Sequence, residues 1–213
     1  MNVAEIIEKL KVVPVIKLDD AKDAVPLGKA LVEGGLPVAE ITFRTEAAEE
    51  AIRRMSGAYP EIAVGAGTLT SVEQAKRALD AGASFFVSPG FHKGITEFAI
   101  RNNIPVYPGV CTPTELMMAM EYGLPVVKFF PAGQYGGLKT IKALSGPFPR
   151  MKFMPTGGIN QGNIREYLAE PCVIACGGSW MVKDDMLKKQ DFDGVRQLVS
   201  EAVALVSGEG SKG

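Results

Sequence analysis

The chain has 213 residues, of which 46% are hydrophobic and 22% are charged, a composition typical of a folded globular protein. Its formal net charge is −1, from 23 basic and 24 acidic side chains, so no excess of positive charge is present to attract nucleic acid. No apolar stretch approaches the roughly 18 residues of a membrane span, and the N-terminus lacks a secretory signal. Three cysteines without a CxxC pair fit reduced thiols. These features predict a cytoplasmic protein that binds neither nucleic acid nor membrane.

Short apolar runs recur along the chain, and each one precedes a segment with helical periodicity. Eight runs are predicted to be strands: residues 12–17, 37–43, 62–68, 85–90, 105–110, 126–132, 152–158 and 173–178. Several of the intervening helices begin at a capping residue and end at glycine, as from Thr70 or Ser71 to Gly82, and from Thr112 or Thr114 to Gly123. A further helix around residues 2–10 precedes the first strand, and the tail 208–213 is expected to be disordered.

The alternation of strands and helices predicts the architecture. Successive strands begin about 20 to 26 residues apart, which leaves space for one crossover helix and short loops. Such an α/β pattern implies parallel strands with right-handed crossovers. Eight units without a long insertion favour a single (β/α)8 TIM barrel domain over residues 1–213, with the first helix as an N-terminal cap. A doubly wound open sheet is the alternative, but no GxGxxG or GxxxxGK[ST] motif follows a strand.

One lysine, Lys128, lies inside the apolar run VVKFFPA of the sixth predicted strand. An isolated buried ammonium is costly, so its position requires a reason. Side chains alternate along a strand, and in the second strand Glu40 and Arg44 share the face that points into the barrel. A lysine among apolar neighbours and near a second cation is disfavoured in its charged form, and a neutral amine can attack a carbonyl carbon. In the simpler alternative, Lys128 only pairs with Glu40, or reaches the surface, and takes part in no chemistry.

Active sites of this fold lie at the C-terminal ends of the strands. Five polar residues lie in the middle or late part of predicted strands: Glu40, Arg44, Thr68, Lys128 and Thr156. Alternation places Thr68 on the face of Val64 and Ala66, and the small residues of GAGT are expected to leave open space beside the lysine. Beside a reactive amine, Glu40 is suited to carry protons.

Two glycine pairs close the last two predicted strands, TGGI at 156–159 and CGGSW at 176–180. Loops after strands seven and eight of such barrels often bind phosphate through backbone N–H groups and a helix N-terminus. Ser179 adds a hydroxyl group. A tight turn explains one such pair, but two pairs at these positions predict a phosphate site.

The chain has one histidine, His92, which follows the fourth predicted strand. One histidine cannot supply a histidine-rich zinc or iron centre of the kind found in metal-dependent aldolases. The CxxxC spacing of Cys172 and Cys176 is interpreted as two core residues of a strand. The sequence therefore predicts chemistry without a metal or another cofactor.

Eight segments closely resemble the 2-keto-3-deoxy-6-phosphogluconate (KDPG) aldolase family, which includes bifunctional 4-hydroxy-2-oxoglutarate (KHG)/KDPG aldolases. In chain order they are EITFRTE, GAGT, SPG, PGVCTPTE, KFFPAG, GPFP, PTGGI and GGSW. The resemblance implies a class I, metal-independent aldolase on a (β/α)8 barrel, which serves the Entner-Doudoroff pathway as a homotrimer. It implies reversible cleavage of KDPG to pyruvate and D-glyceraldehyde 3-phosphate, and of KHG to pyruvate and glyoxylate.

The resemblance also implies roles for individual residues. Lys128 would form the Schiff base, Glu40 would be the acid/base, and Arg44 with Thr68 would hold the pyruvate carboxylate. The other residues expected in the substrate and phosphate pocket are Pro89, Phe130, Thr156, Gly157, Gly158, Gly178 and Ser179. Lys17, at the end of the first predicted strand, is assigned no role.

Two alternative functions stay open at the level of the sequence. One keeps the Schiff base and changes the substrate to the phosphogalactonate isomer of KDPG. The other is a non-catalytic barrel that binds phosphosugars. Relative kcat/KM values test the first alternative, and the absence of a pyruvate adduct would favour the second.

Overall fold

The structure, a computed structural model, describes residues 2–207 of the chain. It confirms an α/β chain in which parallel strands alternate with helices. The described strands are β1 (Val12–Ile16), β2 (Val38–Thr42), β3 (Ala63–Gly67), β4 (Phe85–Val87), β5 (Val106–Tyr107), β6 (Gly109–Val110), β7 (Val126–Phe129), β8 (Lys152–Pro155) and β9 (Cys176–Gly178). The tail 208–213, for which disorder was predicted, lies outside the described residues.

The helices cover the strand-to-strand connections, and the first of them precedes β1. They are α1 (Val3–Leu10), α2 (Ala24–Glu33), α3 (Ala48–Ala58), α4 (Val72–Asp80), α5 (Lys93–Arg101), α6 (Pro113–Glu121), α7 (Gly137–Ser145), α8 (Ile164–Leu168), α9 (Asp184–Lys188) and α10 (Phe192–Ser207). Ser71 caps α4 and Thr112 caps α6, which decides between the two candidate caps at each site. Within residues 2–207, none of these helices combines the length and the apolar character that a membrane span requires.

The described strands form two parallel sheets. The larger sheet has six strands in the order β5-β4-β3-β2-β1-β9, and the smaller has the order β6-β7-β8. Isolated parallel bridges join Phe153 to Val173 and Thr156 to Gly177, so the end of the small sheet meets the β9 edge of the large one. The result is a curled parallel sheet surrounded by helices. Closure into an eight-stranded barrel stays a prediction.

The fifth predicted strand, 105–110, is divided into β5 and β6 by Pro108. Proline has no backbone N–H, so it interrupts the hydrogen-bonding ladder. The segment still forms backbone hydrogen bonds with the chain on both sides. Gly109 N–H donates to the Ser88 carbonyl at 2.9 Å, and Lys128 N–H donates to the Pro108 carbonyl at 2.9 Å. This segment therefore contacts β4 on one side and β7 on the other.

Strand register fixes which side chains share the inner face of the curled sheet. Glu40 lies opposite Gly65 on β3, and Gly65 lies opposite Phe85 on β4. Because neighbouring residues in register point to the same face, these three positions form one row. On the other face of β2, Ala39 and Ile41 are fully buried against the surrounding helices. The predicted faces of β2 are therefore correct.

Candidate active site

The inner face of the sheet carries a buried ion pair between strands β2 and β7. Lys128 Nζ donates a hydrogen bond to Glu40 Oε1 at 3.0 Å, although the two residues are 88 positions apart in the chain. Lys128 is 4% exposed and Glu40 is 0% exposed, so Lys128 does not reach the surface. Desolvation of two charges offsets most of their attraction, so such a pair contributes little net stability. An amine hydrogen-bonded to a carboxylate at this distance can exchange a proton with it.

Two glycines of β3 make room for this arrangement. A Cβ atom at Gly67 would lie 2.2 Å from Glu40 Oε1, and one at Gly65 would lie 2.2 Å from the Phe85 ring. The expectation of open space beside the lysine is therefore wrong, since the Glu40 carboxylate and Phe85 fill it. These glycines, and not Val64 and Ala66, face the interior, so the predicted parity of β3 is also wrong.

Thr68 follows β3 directly and has a φ angle of 57°, in the left-handed region. This conformation is unusual for a β-branched residue and is concentrated at functional sites. Flanking hydrogen bonds hold the turn: Phe43 N–H donates to the Gly67 carbonyl at 2.8 Å, and Leu69 N–H donates to the Val87 carbonyl at 3.1 Å. Thr68 is half-buried at the C-terminal end of its strand. The direction of the Thr68 side chain is set by this turn and not by strand alternation. A prediction from alternation therefore placed the side chain on the wrong face.

Arg44 is held at the end of β2 by a hydroxyl group that the sequence analysis did not assign. Thr42 is fully buried, and its Oγ1 donates to the Ile16 carbonyl at 2.9 Å. Arg44 Nε donates to the same Oγ1 at 3.0 Å. Within residues 2–207, the two terminal guanidinium nitrogens make no hydrogen bond, so they are available to a ligand. A planar guanidinium fork matches the two oxygens of a carboxylate.

A cavity of about 370 Å³ opens at the C-terminal ends of β1, β2 and β9. Three cationic side chains, Lys17, Arg44 and Lys183, and the hydroxyl-bearing Ser179 lie along its wall. Lys17 also contacts carboxylates, with Nζ 3.1 Å from Asp19 Oδ1. Asp184 also lines the cavity and lies 3.8 Å from Lys17 Nζ, so three cationic side chains face one carboxylate, and the net positive wall suits an anion. The sequence alone assigns Lys17 no role, although it ends the predicted strand 12–17.

The two glycine pairs lie where the backbone comes close to neighbouring groups, and the phosphate site predicted at them stays a prediction. Gly157 and Gly158 have φ angles of 94° and 79°, which favour glycine. Ala132 N–H donates to the Thr156 carbonyl at 2.8 Å, which joins the loop after β7 to the end of β8. A Cβ atom at Gly177 would lie 2.3 Å from Thr156 Oγ1. Thr156 is buried and lies two residues beyond Met154, the register partner of Lys128, so it shares the inner face with Lys128.

Of the remaining predicted pocket residues, Ser179 lines the cavity of about 370 Å³, whereas Phe130, Pro89 and Gly178 are not among its lining residues. Phe130 is half-buried, and its ring centroid is 5.3 Å from Lys128 Nζ, a cation–π distance. Pro89 follows β4, and its carbonyl oxygen would lie 2.2 Å from a Cβ atom at Gly109, the residue paired with Lys128. Ser179 is exposed, and the space beside Gly178 is filled by the Trp180 ring.

His92 has a structural position. It caps α5, and its Nδ1 accepts a hydrogen bond from Ile95 N–H at 3.2 Å. Within the part of the chain that the structure describes, no group of three or more His, Cys, Asp or Glu side chains is arranged to hold a metal ion. The lysine-based, metal-free chemistry inferred from the sequence stays a prediction.

Comparison with known proteins decides the family. The family model described as KDPG and KHG aldolase matches residues 3–198. The chain is 45% identical over 205 residues to 2-dehydro-3-deoxy-phosphogluconate aldolase of Haemophilus influenzae, with 96% of this chain and 97% of the relative covered. It is 46% identical over 192 residues to KHG/KDPG aldolase of Escherichia coli, with 90% of each covered. The chain belongs to the KDPG and KHG aldolase family.

Solved structures of KDPG aldolases share its fold. The KDPG aldolase of Legionella pneumophila, with pyruvate captured at low pH as a covalent carbinolamine intermediate, aligns with a TM-score of 0.91 and 37% identity, covering 95% of this chain and 98% of that one. The enzyme of Zymomonas mobilis ZM4 with 3-phosphoglycerate aligns with a TM-score of 0.89 and 37% identity, covering 95% and 96%. A KDPGal structure aligns at 24% identity, which shows a common fold only.

Proposed function

We propose that this chain is a class I aldolase that reversibly cleaves KDPG to pyruvate and D-glyceraldehyde 3-phosphate, and KHG to pyruvate and glyoxylate. The buried hydrogen bond from Lys128 Nζ to Glu40 Oε1 carries the proposal. Family membership supports it, since the relatives are named as KDPG and KHG/KDPG aldolases. A protein that only bound phosphosugars would have no use for a buried amine beside a carboxylate.

The reaction begins at Lys128. Glu40 takes a proton from the ammonium group, and the neutral amine adds to the C2 ketone to give a carbinolamine. Loss of water, with a proton returned by Glu40, gives an iminium ion. As Glu40, through a water molecule, removes the proton of the C4 hydroxyl, the C3–C4 bond breaks and its electron pair moves toward the iminium nitrogen. The aldehyde leaves, the enamine is protonated at C3, and hydrolysis frees pyruvate and Lys128.

The two ends of the substrate are assigned to two sets of donors. Arg44, anchored by Thr42, and Thr68 hold the carboxylate next to C2. The phosphate lies toward Ser179, near Gly157, Gly158 and Gly178, and the cationic cavity wall with Lys17 and Lys183 favours its charge. Thr156, Pro89 and Phe130 complete the pocket around the reacting carbons.

We also propose that the two parallel sheets close into one (β/α)8 TIM barrel that forms a single domain. The bridges between β8 and the β9 segment, and the position of residues 105–110 between β4 and β7, support closure.

A homotrimer and a cytoplasmic location follow from the family resemblance. On α6, Met117, Met118 and Met120 are exposed by 58%, 37% and 45%, an apolar surface suited to assembly. Sedimentation equilibrium should give three times the 22.7 kDa chain mass.

Pyruvate release, followed with a coupled dehydrogenase, tests the function. We expect kcat/KM for KDPG to exceed that for the phosphogalactonate isomer, with KHG cleaved as a second substrate. Glu40→Gln should lower kcat by at least 100-fold, because general acid–base catalysis contributes about 10²- to 10⁴-fold. Lys93→Gln, on the exposed face of α5, is the matched control and should be as active as the parent. Absence of pyruvate release from both substrates would contradict the proposal.

A further inference from the structure

Tyr107, on β5, is a buried titratable residue that the mechanism above does not use. It is 3% exposed, and its hydroxyl group has no hydrogen-bond partner within the described residues. Burial raises the pKa of Tyr107 to about 12, so the hydroxyl keeps its proton at neutral pH and is a donor. Buried polar groups in proteins nearly always have a partner, so an unpaired hydroxyl in the interior requires an explanation.

Register places Tyr107 on the inner face of the sheet. Phe85 is in the same row as Glu40, and Tyr107 lies opposite Val87, two residues further along the strand. Side chains two apart on a strand share a face, so Phe85, Val87 and Tyr107 all point inward. The edge-to-face contact of the Phe85 and Tyr107 rings, with centroids 6.0 Å apart, agrees with this assignment.

Tyr107 lies level with the Glu40 carboxylate. Glu40 Oε1 lies against Gly67, where a Cβ atom would come within 2.2 Å of it. Continuing the register of β3 and β4 by one residue puts Gly67 opposite Val87, which pairs with Tyr107. Gly67 and Tyr107 are thus two strand spacings apart, roughly 10 Å between backbones. A tyrosine side chain and one water molecule, at about 2.8 Å for each hydrogen bond, cover that span.

The candidate acceptor for the Tyr107 hydroxyl group belongs to Glu40. Oε1 accepts from Lys128, whereas Oε2 is buried and has no hydrogen-bond partner within the described residues. Register thus places an unpaired donor and an unpaired acceptor on the same face and at the same level of the sheet. One water molecule with two or three polar neighbours satisfies both, and such water molecules are common in protein interiors.

We propose that Tyr107 is a positioning residue for Glu40, acting through a buried water molecule that donates to Glu40 Oε2. This inference rests on the proposed role of Glu40 as the acid/base. A second donor stabilises the carboxylate form and keeps Oε1 turned toward Lys128. The other charged groups near this end of the interior are Arg44, held by Thr42, and Lys17, which contacts Asp19 and Asp184. The β3 residues that face Glu40 are glycines.

The test is the pH profile of kcat/KM for KDPG in Tyr107→Phe, which removes the hydroxyl and keeps the ring. Without the second donor, protonation of the Glu40 carboxylate becomes easier, so the acidic limb should move to higher pH by about half to one unit. Tyr122→Phe is the control, because the Tyr122 hydroxyl donates to Glu97 at 3.1 Å, away from Glu40. Its profile should coincide with that of the parent.

Outcomes for this inference and for the proposed function are separable. Tyr107→Phe should still trap pyruvate on Lys128 with borohydride, because the amine is intact. An acidic limb that superimposes on the parent's in folded Tyr107→Phe would overturn the inference, whereas loss of trapping in the parent itself would overturn the proposed function. If Tyr107→Phe does not fold, a high-resolution crystal structure of the parent decides. A water within 3.2 Å of both Tyr107 Oη and Glu40 Oε2 supports the inference, and its absence refutes it.

Discussion

The two oxygens of the Glu40 carboxylate have different surroundings. Oε1 accepts the hydrogen bond from Lys128 and lies against Gly67, and Oε2 is buried without a hydrogen-bond partner among residues 2–207. The position of this one carboxylate therefore depends on a neighbouring residue that has no side chain. Because proton transfer requires close contact, small displacements at this position should have large effects on the rate.

Substitution of Gly67 by alanine tests this dependence. The new Cβ would lie 2.2 Å from Glu40 Oε1 and 2.6 Å from its Cγ, so the carboxylate must move away from Lys128. A displacement of about 1 Å can cost about 100-fold in rate, and we expect kcat of Gly67→Ala to fall by that factor or more. Steady-state kinetics and circular dichroism check the effect in a folded protein.

Gly57→Ala is the matched control for Gly67→Ala. Gly57 lies in α3, and a Cβ atom added there would have no heavy atom of the described residues within 4 Å, so alanine should leave kcat unchanged. It should stabilise the helix by about 0.5 to 1 kcal/mol. Wild-type kcat in Gly67→Ala would show that the position of Glu40 does not depend on this glycine.

Among the helices, α6 begins with a capping box close to the active-site strands. Glu115 Oε2 accepts hydrogen bonds from Cys111 N–H at 2.8 Å and from Thr112 N–H at 2.9 Å, and Thr112 Oγ1 accepts from Glu115 N–H at 3.4 Å. These bonds fix the segment that follows β6, the strand paired with Lys128 on β7. The motif CTPTE thus both starts α6 and fixes the segment next to the strand that carries Lys128.

Glu115→Ala should destabilise the protein by about 1 kcal/mol at pH 7, since it removes the side-chain acceptor of the capping box that begins at Thr112. Burial raises the pKa of Glu115, but hydrogen bonds from Cys111 and Thr112 outweigh it and hold the pKa below the ordinary 4.5. The depressed pKa means that this stabilisation is present above pH 4.5 and is lost as pH falls through the folded-state value. Urea unfolding of parent and variant should therefore converge in acid. Glu121→Ala, at the other end of α6 and outside the capping box, should unfold at the same urea concentration as the parent at pH 7.

On β9, Cys176 is fully buried, and burial raises the pKa of its thiol to about 12. Since the thiolate is the reactive form, we expect Cys176 to resist iodoacetamide at about pH 8 in the native protein. Cys172, which is half-buried, provides the comparison within the same segment. Peptide mass analysis should find Cys176 unmodified until urea is added. Rapid native alkylation of Cys176 would contradict the buried position of β9.

At the scale of the whole molecule, the sequence pattern was sufficient to predict the features that depend on local periodicity. The alternating faces of β2 correctly placed Glu40 away from Ala39 and Ile41, and the apolar run around Lys128 correctly indicated burial. Strand–helix alternation correctly predicted parallel sheets. These are properties of short segments, which chain periodicity encodes.

Features that depend on contacts between distant segments could not be predicted in the same way. The face of β3 was misassigned because its small residues have no polarity contrast, and the left-handed turn at Thr68 re-aims that side chain. Likewise, the sequence does not reveal that Thr42 donates to the Ile16 carbonyl of the neighbouring strand, or that Tyr107 lies on the inner face of the sheet, because both depend on sheet register. Register is set by tertiary packing.

The most direct test of the central claim is reduction with borohydride in the presence of pyruvate, followed by peptide mass analysis. We predict a stable pyruvyl adduct on Lys128, and none in Lys128→Arg. Lys152→Arg, which changes the β8 lysine that donates to the Pro171 carbonyl, should still form the adduct on Lys128. An adduct on another lysine of the parent, or no adduct at all, would contradict the account.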